Sequence, residues 1–449
     1  MNDKQHYIDL FKQHRVLIEQ ACVPELNSVR DQALKDFELL GFPADSMEDY
    51  QRTNAQIAFE HDYGVNIKRL PMPLIEGAFH CDVPDLSTNL YSMVNDRFYA
   101  GHHADLPLPD GVFSGSLNEF AMQHTEIFNQ YYTKLADTSG NGLVAFNTLF
   151  AQDGYVLYIP KNTVVERPIQ LINTIAGKVD MLCNRRLLII VEENAQVKLL
   201  ICDHTADGKR KFLVTQVMEV FVADHAMLDI YELEESSLKT TRFSSSFVKQ
   251  GAHSNVVFNG TTLYNGLSRN DYYVSLAGEY AETHLSGIVV SDNNQHTDNF
   301  VRIEHKVPNC MSNQLFKYVL DGSSSGAFTG RIVVAEDAQK TNAYQTNRNL
   351  CVTRDARMYS KPQLEIYADD VKCSHGMTTG QLDESALFYL RSRGISEKEA
   401  RLLLMFAFTS DVLDNIRIDA LKDRLQVLVE KRFKGELAKC GGCCDTCSK

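Results

Sequence analysis

From about residue 143 the chain breaks into short runs of β-branched, aliphatic and aromatic residues separated by polar corners, as in "GYVLYIPKNTVVERPIQLINT" and "RRLLIIVEENAQVKLLICDH". Within these runs apolar and polar positions alternate, which places successive side chains on opposite faces of a strand. A small residue after a polar corner recurs at Ala195, Ala226, Ala252, Ala281, Cys310 and Ala338, at intervals of 31, 26, 29, 29 and 28 residues. A repeat of that length built only from strands and corners predicts the coils of a β-solenoid, in which each turn buries its inward face by stacking on its neighbours. An antiparallel β-sandwich whose spacing is coincidental is the competing reading.

The ends of the chain carry a different period. "HYIDLFKQHRVLIEQ" is amphipathic, and Leu26, Val29, Ala33, Phe37 and Leu40 continue at helical spacing until Gly41-Phe42-Pro43 halts the run. The strand pattern stops at His375. Beyond it Asp383 is placed to cap a helix that Gly394 ends, "SEKE" at 396–399 is a capping box, and a third helix from about Asp419 aligns Leu421, Leu425, Leu428 and Phe433. The predicted order is a helical domain over 1–60, a mixed connecting region over 61–142, a β-helix core over 143–376, a helical domain over 377–435 and a cysteine-rich tail over 436–449.

At 449 residues the chain exceeds what one core usually organises unless the architecture grows by repetition, which agrees with a solenoid. The formal charge of −13, without a Lys/Arg block, argues against nucleic acid or an anionic membrane as the main partner. No secretory h-region and no span of apolar residues long enough to cross a membrane is present, so a soluble, intracellular, cytoplasmic protein is expected. The isolated cysteines, Cys22, Cys81, Cys183, Cys202, Cys310 and Cys351, read as small buried apolar residues.

Cys373 and His375 stand two positions apart, and in a strand such residues share a face. A thiolate and an imidazole there suit iron or zinc, but two ligands do not complete a site, so the others would come from elsewhere, including another chain. The same pair could act as nucleophile and base, or be a buried cysteine beside a histidine that bonds the adjoining turn. The tail "CGGCCDTCSK" sets Cys440, Cys443, Cys444 and Cys447 within eight residues, enough thiolates for zinc or an iron–sulfur centre, although adjacent Cys443 and Cys444 strain a single tetrahedral cage. His284, His296 and His305 read as outward-facing surface histidines, and His102-His103 has no partner pattern. Glu365, Asp369 and Asp370 could pair for acid–base work on carbohydrate, against the plainer reading of a solvated strand end.

"SKPQLEIYADDVKCSHGMTTGQLDESALFYLRSRGI" (360–395), together with "DAQKTNAYQTNRNL" (337–350), closely resembles the SufB/SufD core-component family of the SUF iron–sulfur cluster assembly system. Ser374, Gly376 and "GQLDE" follow the SufD branch, where SufB reads Cys-Glu-His at 373–375. "PADSMEDYQRTN" (43–54) is similar to that branch's Pro-x-x-x-x-Glu-x-Trp-Lys-x-Thr segment, with Tyr50 in place of its Trp. The resemblance implies a mainly β protein, a right-handed parallel β-helix flanked by N- and C-terminal helical domains, and assembly with a SufB-like paralogue and a SufC-like ATPase. It implies a nascent iron–sulfur cluster at the SufB–SufD interface, with His375 matching the family's interface histidine and Cys373 the neighbouring thiol. It also implies a non-catalytic scaffold whose helices over 383–434 dock the ATPase. No G-x-x-x-x-G-K-[ST] loop occurs, so nucleotide chemistry falls to that partner. Whether the isolated chain pairs with itself, and whether reduced flavin binds the complex, stay open. The reading from another class is a β-helical carbohydrate-active enzyme using Glu365, Asp369 and Asp370.

Overall fold

The computed structural model describes residues 3–70, 88–99, 107–206 and 208–436. From Tyr155–Ile159 onward, strands that follow one another in sequence alternate between two ten-stranded sheets, so within the stack each pairs with the strands two before and two after it. Gln196–Thr205, for example, lies in parallel between Ile169–Ile175 and Met227–Glu235. This is a parallel β-helix with two strands per turn, and the parallel pairing rules out the antiparallel sandwich.

Register stacks like residues in columns along the solenoid. Ile189, Val220, Val248, Val274, Ile303 and Ile332 lie one above another on the inward face, each buried. Each of these six coils contributes a β-branched residue, and the column continues into Leu157 and Leu364 at its two ends; β-branched side chains pack well on a pleated surface. At one corner a second column runs Asn194, His225, His253, Tyr280, Asn309 and Lys340, all with φ between 54° and 64°. L-residues in this left-handed region cost roughly 1 kcal/mol each. Outside the corner their side chains offset part of that cost by stacking: His225 on His253 at 4.8 Å and 3°, and His253 on Tyr280 at 4.9 Å and 8°.

The small buried residue follows that left-handed one, giving Ala195, Ala226, Ser254, Ala281, Cys310 and Thr341, each at most 1% exposed. Register therefore corrects two members of the sequence-derived repeat: Ser254 and Thr341 occupy the places expected for Ala252 and Ala338. The polar identity of both residues hid the period.

The interior is not wholly apolar. Arg242, 4% exposed, reaches Asp203 at 3.4 Å and Glu232 at 3.7 Å, and donates to Asn270 at 2.6 Å. Arg185 bonds the other oxygen of Asp203, and Glu234 accepts from Ser268 at 2.6 Å. Three carboxyls thus face two guanidiniums, and a buried group in excess favours its neutral form. Burial, reinforced by Asp203 and Glu234 against the pull of Arg242, lifts Glu232 to about 7.

Helices cover the flanks. Asp3–Gln20 and Arg30–Leu40 enclose an aromatic cluster in which Phe42 stacks on Phe59 at 3.7 Å, with Tyr7 and Phe146 edge-on to it. Glu397–Leu413 and Asp419–Phe433 lie along the outer face of the second sheet, against Tyr231, Leu233, Val257 and Ile288. Arg432 fixes them by donating to Leu263 O at 2.5 Å and gripping both oxygens of Asp292 at 2.8 Å. The caps expected at Asp383 and Ser396 are present, each side chain accepting a main-chain N–H of the first turn.

Three local expectations differ from the structure. "GLVAFNTLF" (Gly142–Phe150) is a helix with all nine residues buried; being buried on every side, it has no polar face to mark a helical period. Asn89–Val94 and Phe113–Ser116, within the region read as mixed, belong to the two sheets. The last strand continues past His375 to Gly380, since its glycines and threonines resemble a turn in sequence yet pair in register with Asn342–Cys351. His305 is also not on the surface: it is 1% exposed, bonds Ser312 Oγ at 2.8 Å, and burial drives it down to about 4. Cys81, His102-His103 and the four tail cysteines lie outside the described residues.

The carboxyl excess around Arg242 makes stability depend on pH in a defined sense. Glu232 is raised from 4.5 to about 7, so its contribution is fully present below pH 4.5 and is lost as pH climbs to about 7. Glu232→Gln has no such loss. Its unfolding free energy, measured by denaturant titration, should gain on wild type by on the order of 2–3 kcal/mol between pH 4.5 and pH 8; a gap that stays constant across this range would show Glu232 already ionised.

Candidate functional site

The two sheets end at Arg357–Ile366 and Lys372–Gly380, and neither strand has a further neighbour among the described residues. Arg357 and Lys372 direct their N–H groups back to Ser324 O and Thr341 O of the preceding coil. Because alternate residues of a strand bond to opposite sides, the N–H groups of Cys373, His375, Met377 and Thr379 point to the free edge. So does position 362, where a proline supplies no donor. Proline at this position is one of the ways an edge strand is kept from pairing, which leaves Lys372–Gly380 as the freer edge.

Cys373 and His375 do share a face, and it is the inward one. Cys373 continues the column of Ser312 and Ala343, and packs against a small cluster of Ile332, Val334, Ala338, Ala343 and Ala368. Burial pushes its thiol up, with a weaker opposing bond from the main chain of Ala343. His375 continues the column of Gln314 and Gln345, both buried, yet is itself exposed, because no coil lies above it. The end of the solenoid therefore presents a thiol and an imidazole from its own interior, beside apolar Met377 at 47% exposure and Ile366 at 39%. No group of three or more His, Cys, Asp or Glu able to hold a metal ion occurs among the described residues. The pair offers one soft and one borderline donor and stops there.

The other nominated residues are not brought to this end as a catalytic set. Glu365 lies 3.3 Å from Arg331, which neutralises it, and Asp370 sits in the corner, where its main chain bonds Gln339 and Lys340. His296 bonds Thr53 at 3.0 Å and Ser325 at 2.7 Å, and His284 is half-buried with its pKa lowered by burial and by Arg417. Gln314 and Gln345 beneath His375 went unnoticed in the sequence. Nothing local marks them, since they meet His375 only through the register of three coils.

Residues 173–408 match the family described as "SUF system FeS cluster assembly, SufBD core domain", and residues 1–171 match the "SufBD protein N-terminal region". The chain belongs to the SufBD family. An iron–sulfur cluster assembly SufBD family protein of Synechocystis is 28% identical over 446 residues, covering 96% of this chain and 98% of its own. The iron–sulfur cluster assembly protein SufD of Escherichia coli is 35% identical over 195 residues, 43% of each chain. SufD of Bacillus subtilis is 26% identical over 329 residues, 72% of this chain and 74% of its own. The SufBD core match spans the whole uncovered end, Cys373 and His375 included. No helix among the described residues is long and apolar enough to cross a membrane.

The raised thiol of Cys373 has a direct consequence for its reactivity, because the thiolate is the nucleophile. At pH 7.5 Cys373 should be alkylated by iodoacetamide more slowly than an unstructured cysteine peptide, with a rate that climbs above pH 9. Peptide-level mass spectrometry reads this, and a Cys373 that outpaces the free peptide at pH 7.5 would contradict the burial argument.

Proposed function

We propose that this chain is a non-catalytic, SufD-type scaffold subunit that joins a SufB-like paralogue and a SufC-like ATPase and helps assemble iron–sulfur clusters. The observation that carries the reading is the pair Cys373 and His375 on the inward face of an uncovered terminal strand, two donors short of a complete site. A second solenoid stacked end-on would supply the rest. The nascent cluster is then a substrate held between two chains, with His375 its ligand from this side and Cys373 the adjacent thiol.

End-on stacking is favoured by what the last coil leaves unsatisfied: a row of edge N–H and C=O groups and half-covered apolar side chains. The ATPase is assigned to the helical flank. There Glu384–Ser392 exposes Phe388 at 75% and Tyr389 at 57%, and Glu397–Leu413 exposes Leu403 at 50%. Exposed aromatics on a packed helical surface are the residue types that anchor protein interfaces. The thiols of Cys440, Cys443, Cys444 and Cys447 form a separate part of the proposal, as a thiolate group for zinc or iron that deletion of 440–449 would remove. The carbohydrate reading is disfavoured by Glu365, which is tied to Arg331 rather than poised opposite a second carboxyl.

His375→Ala should fold and enter the complex normally while cluster yield, measured as iron and acid-labile sulfide per complex, falls severalfold. Wild-type yield from this variant would remove His375 from the site. Met377→Pro deletes a donor that faces only the free edge, so its own coil keeps its bonds while co-purification with the SufB-like partner is lost. Phe388→Asp combined with Tyr389→Asp should abolish pull-down of the ATPase and leave that pairing intact; undiminished pull-down would place the docking surface elsewhere.

A further inference from the structure

The segment over 48–53, the part of the N-terminal region that resembles a SufD-branch motif, does not stay with the helices around it. It crosses the outer face of the first sheet and straddles its last four coils. Tyr50 and Thr53 reach back to the inner two. Tyr50 lies over the Arg269 guanidinium at 3.8 Å and donates to Asp271 at 3.1 Å, while Thr53 donates to Asp298 at 2.7 Å. Arg269, 1% exposed, pairs with Asp271 and Asp298 and donates to the main-chain oxygen of Asp49 at 2.7 Å. This half is a buried anchor.

The other half points toward the uncovered end. Glu48 accepts from Lys361 at 2.6 Å, Asp49 lies 3.4 Å from Arg331, and the Arg52 guanidinium covers the Tyr359 ring at 3.9 Å. Lys361 and Tyr359 belong to the terminal strand Arg357–Ile366, and Arg331 belongs to the strand before it. Among the described residues that terminal strand has a neighbour on one edge only, and its residues are all half-buried or exposed. On its outer face, Glu48 bonds Lys361 and Arg52 covers Tyr359.

We propose that residues 48–53 brace the terminal strand, with Glu48 and Arg52 as positioning residues that hold the solenoid's end ready for a second solenoid to stack on. The inference rests on the end-on reading given above. The strand is the least supported part of a one-dimensional stack, where each coil is stabilised by its neighbours, so an unbraced last coil opens most readily. Contacts that order an edge before it is bound reduce the ordering cost charged to association. The anchor at Tyr50 and Arg269 makes the brace stiff, and the exposed contacts at Glu48 and Arg52 transmit that stiffness to the strand.

Glu48→Ala combined with Arg52→Ala removes the forward contacts and leaves the buried anchor. The melting temperature should hold, since exposed pairs of this kind add little to global stability. Amide exchange in peptides covering 357–366 should quicken, and affinity for the SufB-like solenoid should fall by about five- to ten-fold, read by titration of the purified chains. Glu48→Lys alone should show the same two effects in part, and adding Lys361→Glu to it should reverse them. Unchanged exchange would overturn the brace, and faster exchange with unchanged affinity would reduce it to a local contact. Met377→Pro run in parallel separates the two readings: if it too leaves the complex intact, end-on pairing is wrong, and the exchange data alone decide whether 48–53 orders the strand.

Discussion

Each strand of a parallel β-helix is satisfied only by the coils on either side of it, and the remaining features of this protein follow from how its two ends meet that demand. At the start of the stack the ladder is closed by a change of direction. Arg97–Tyr99 pairs antiparallel with Asn89–Val94, Phe113–Ser116 pairs antiparallel with Tyr155–Ile159, and helices pack around the second pair. At the far end, among the described residues, no reversed strand pairs with the last coil. The helices after Gly380 turn back along the flank, so the last coil keeps an open edge and an open interior. An open edge of this kind is an aggregation hazard in a monomer, and the proposed end-on pairing would cover it.

The same stacking explains how charge is tolerated inside. Arg185, Asp203, Arg242 and Glu232 come from four strands, and no two of them could meet without the coil register. Breaking such a network by removing one partner leaves an uncompensated buried charge, which is far more costly than the network is stabilising. Arg186 with Glu219, both 0% exposed, does comparable work for the loop after Tyr132, whose N–H groups at 133, 135 and 136 converge on the Glu219 carboxylate.

Much of this was legible before any coordinates. Alternating runs at a nearly constant interval specify a solenoid, and the caps at Asp383 and Ser396 fall where the residue types require them. What failed to show in the sequence has a common cause. Ser254 and Thr341 hid the corner column because a small polar residue serves there as well as alanine. His305 looked like a surface residue because strand alternation alone does not say which face is inward. The end of the last strand was misplaced because Gly376, Thr378, Thr379 and Gly380 pair by register with Asn342–Cys351 rather than by propensity. For the site, Cys373 and His375 could be placed on one face from their spacing. That this face is the interior of an unfinished stack, above Gln345 and Gln314, depends on contacts some 30 residues apart at each step.

The helices on the flank are pinned to particular coils: Arg417 to Asp229, Lys317 to Asp411 and Arg432 to Asp292. On the proposed reading, the open end and the exposed helical face are two attachment directions, one along the axis and one at right angles to it, joined by the stack rather than by a linker. The distance between them is counted in coils, each adding one strand spacing of ~4.8 Å. A relative with one coil more or fewer after Lys317 would carry the same surfaces at a different separation, so in the proposed arrangement coil number acts as a ruler that a partner would have to match.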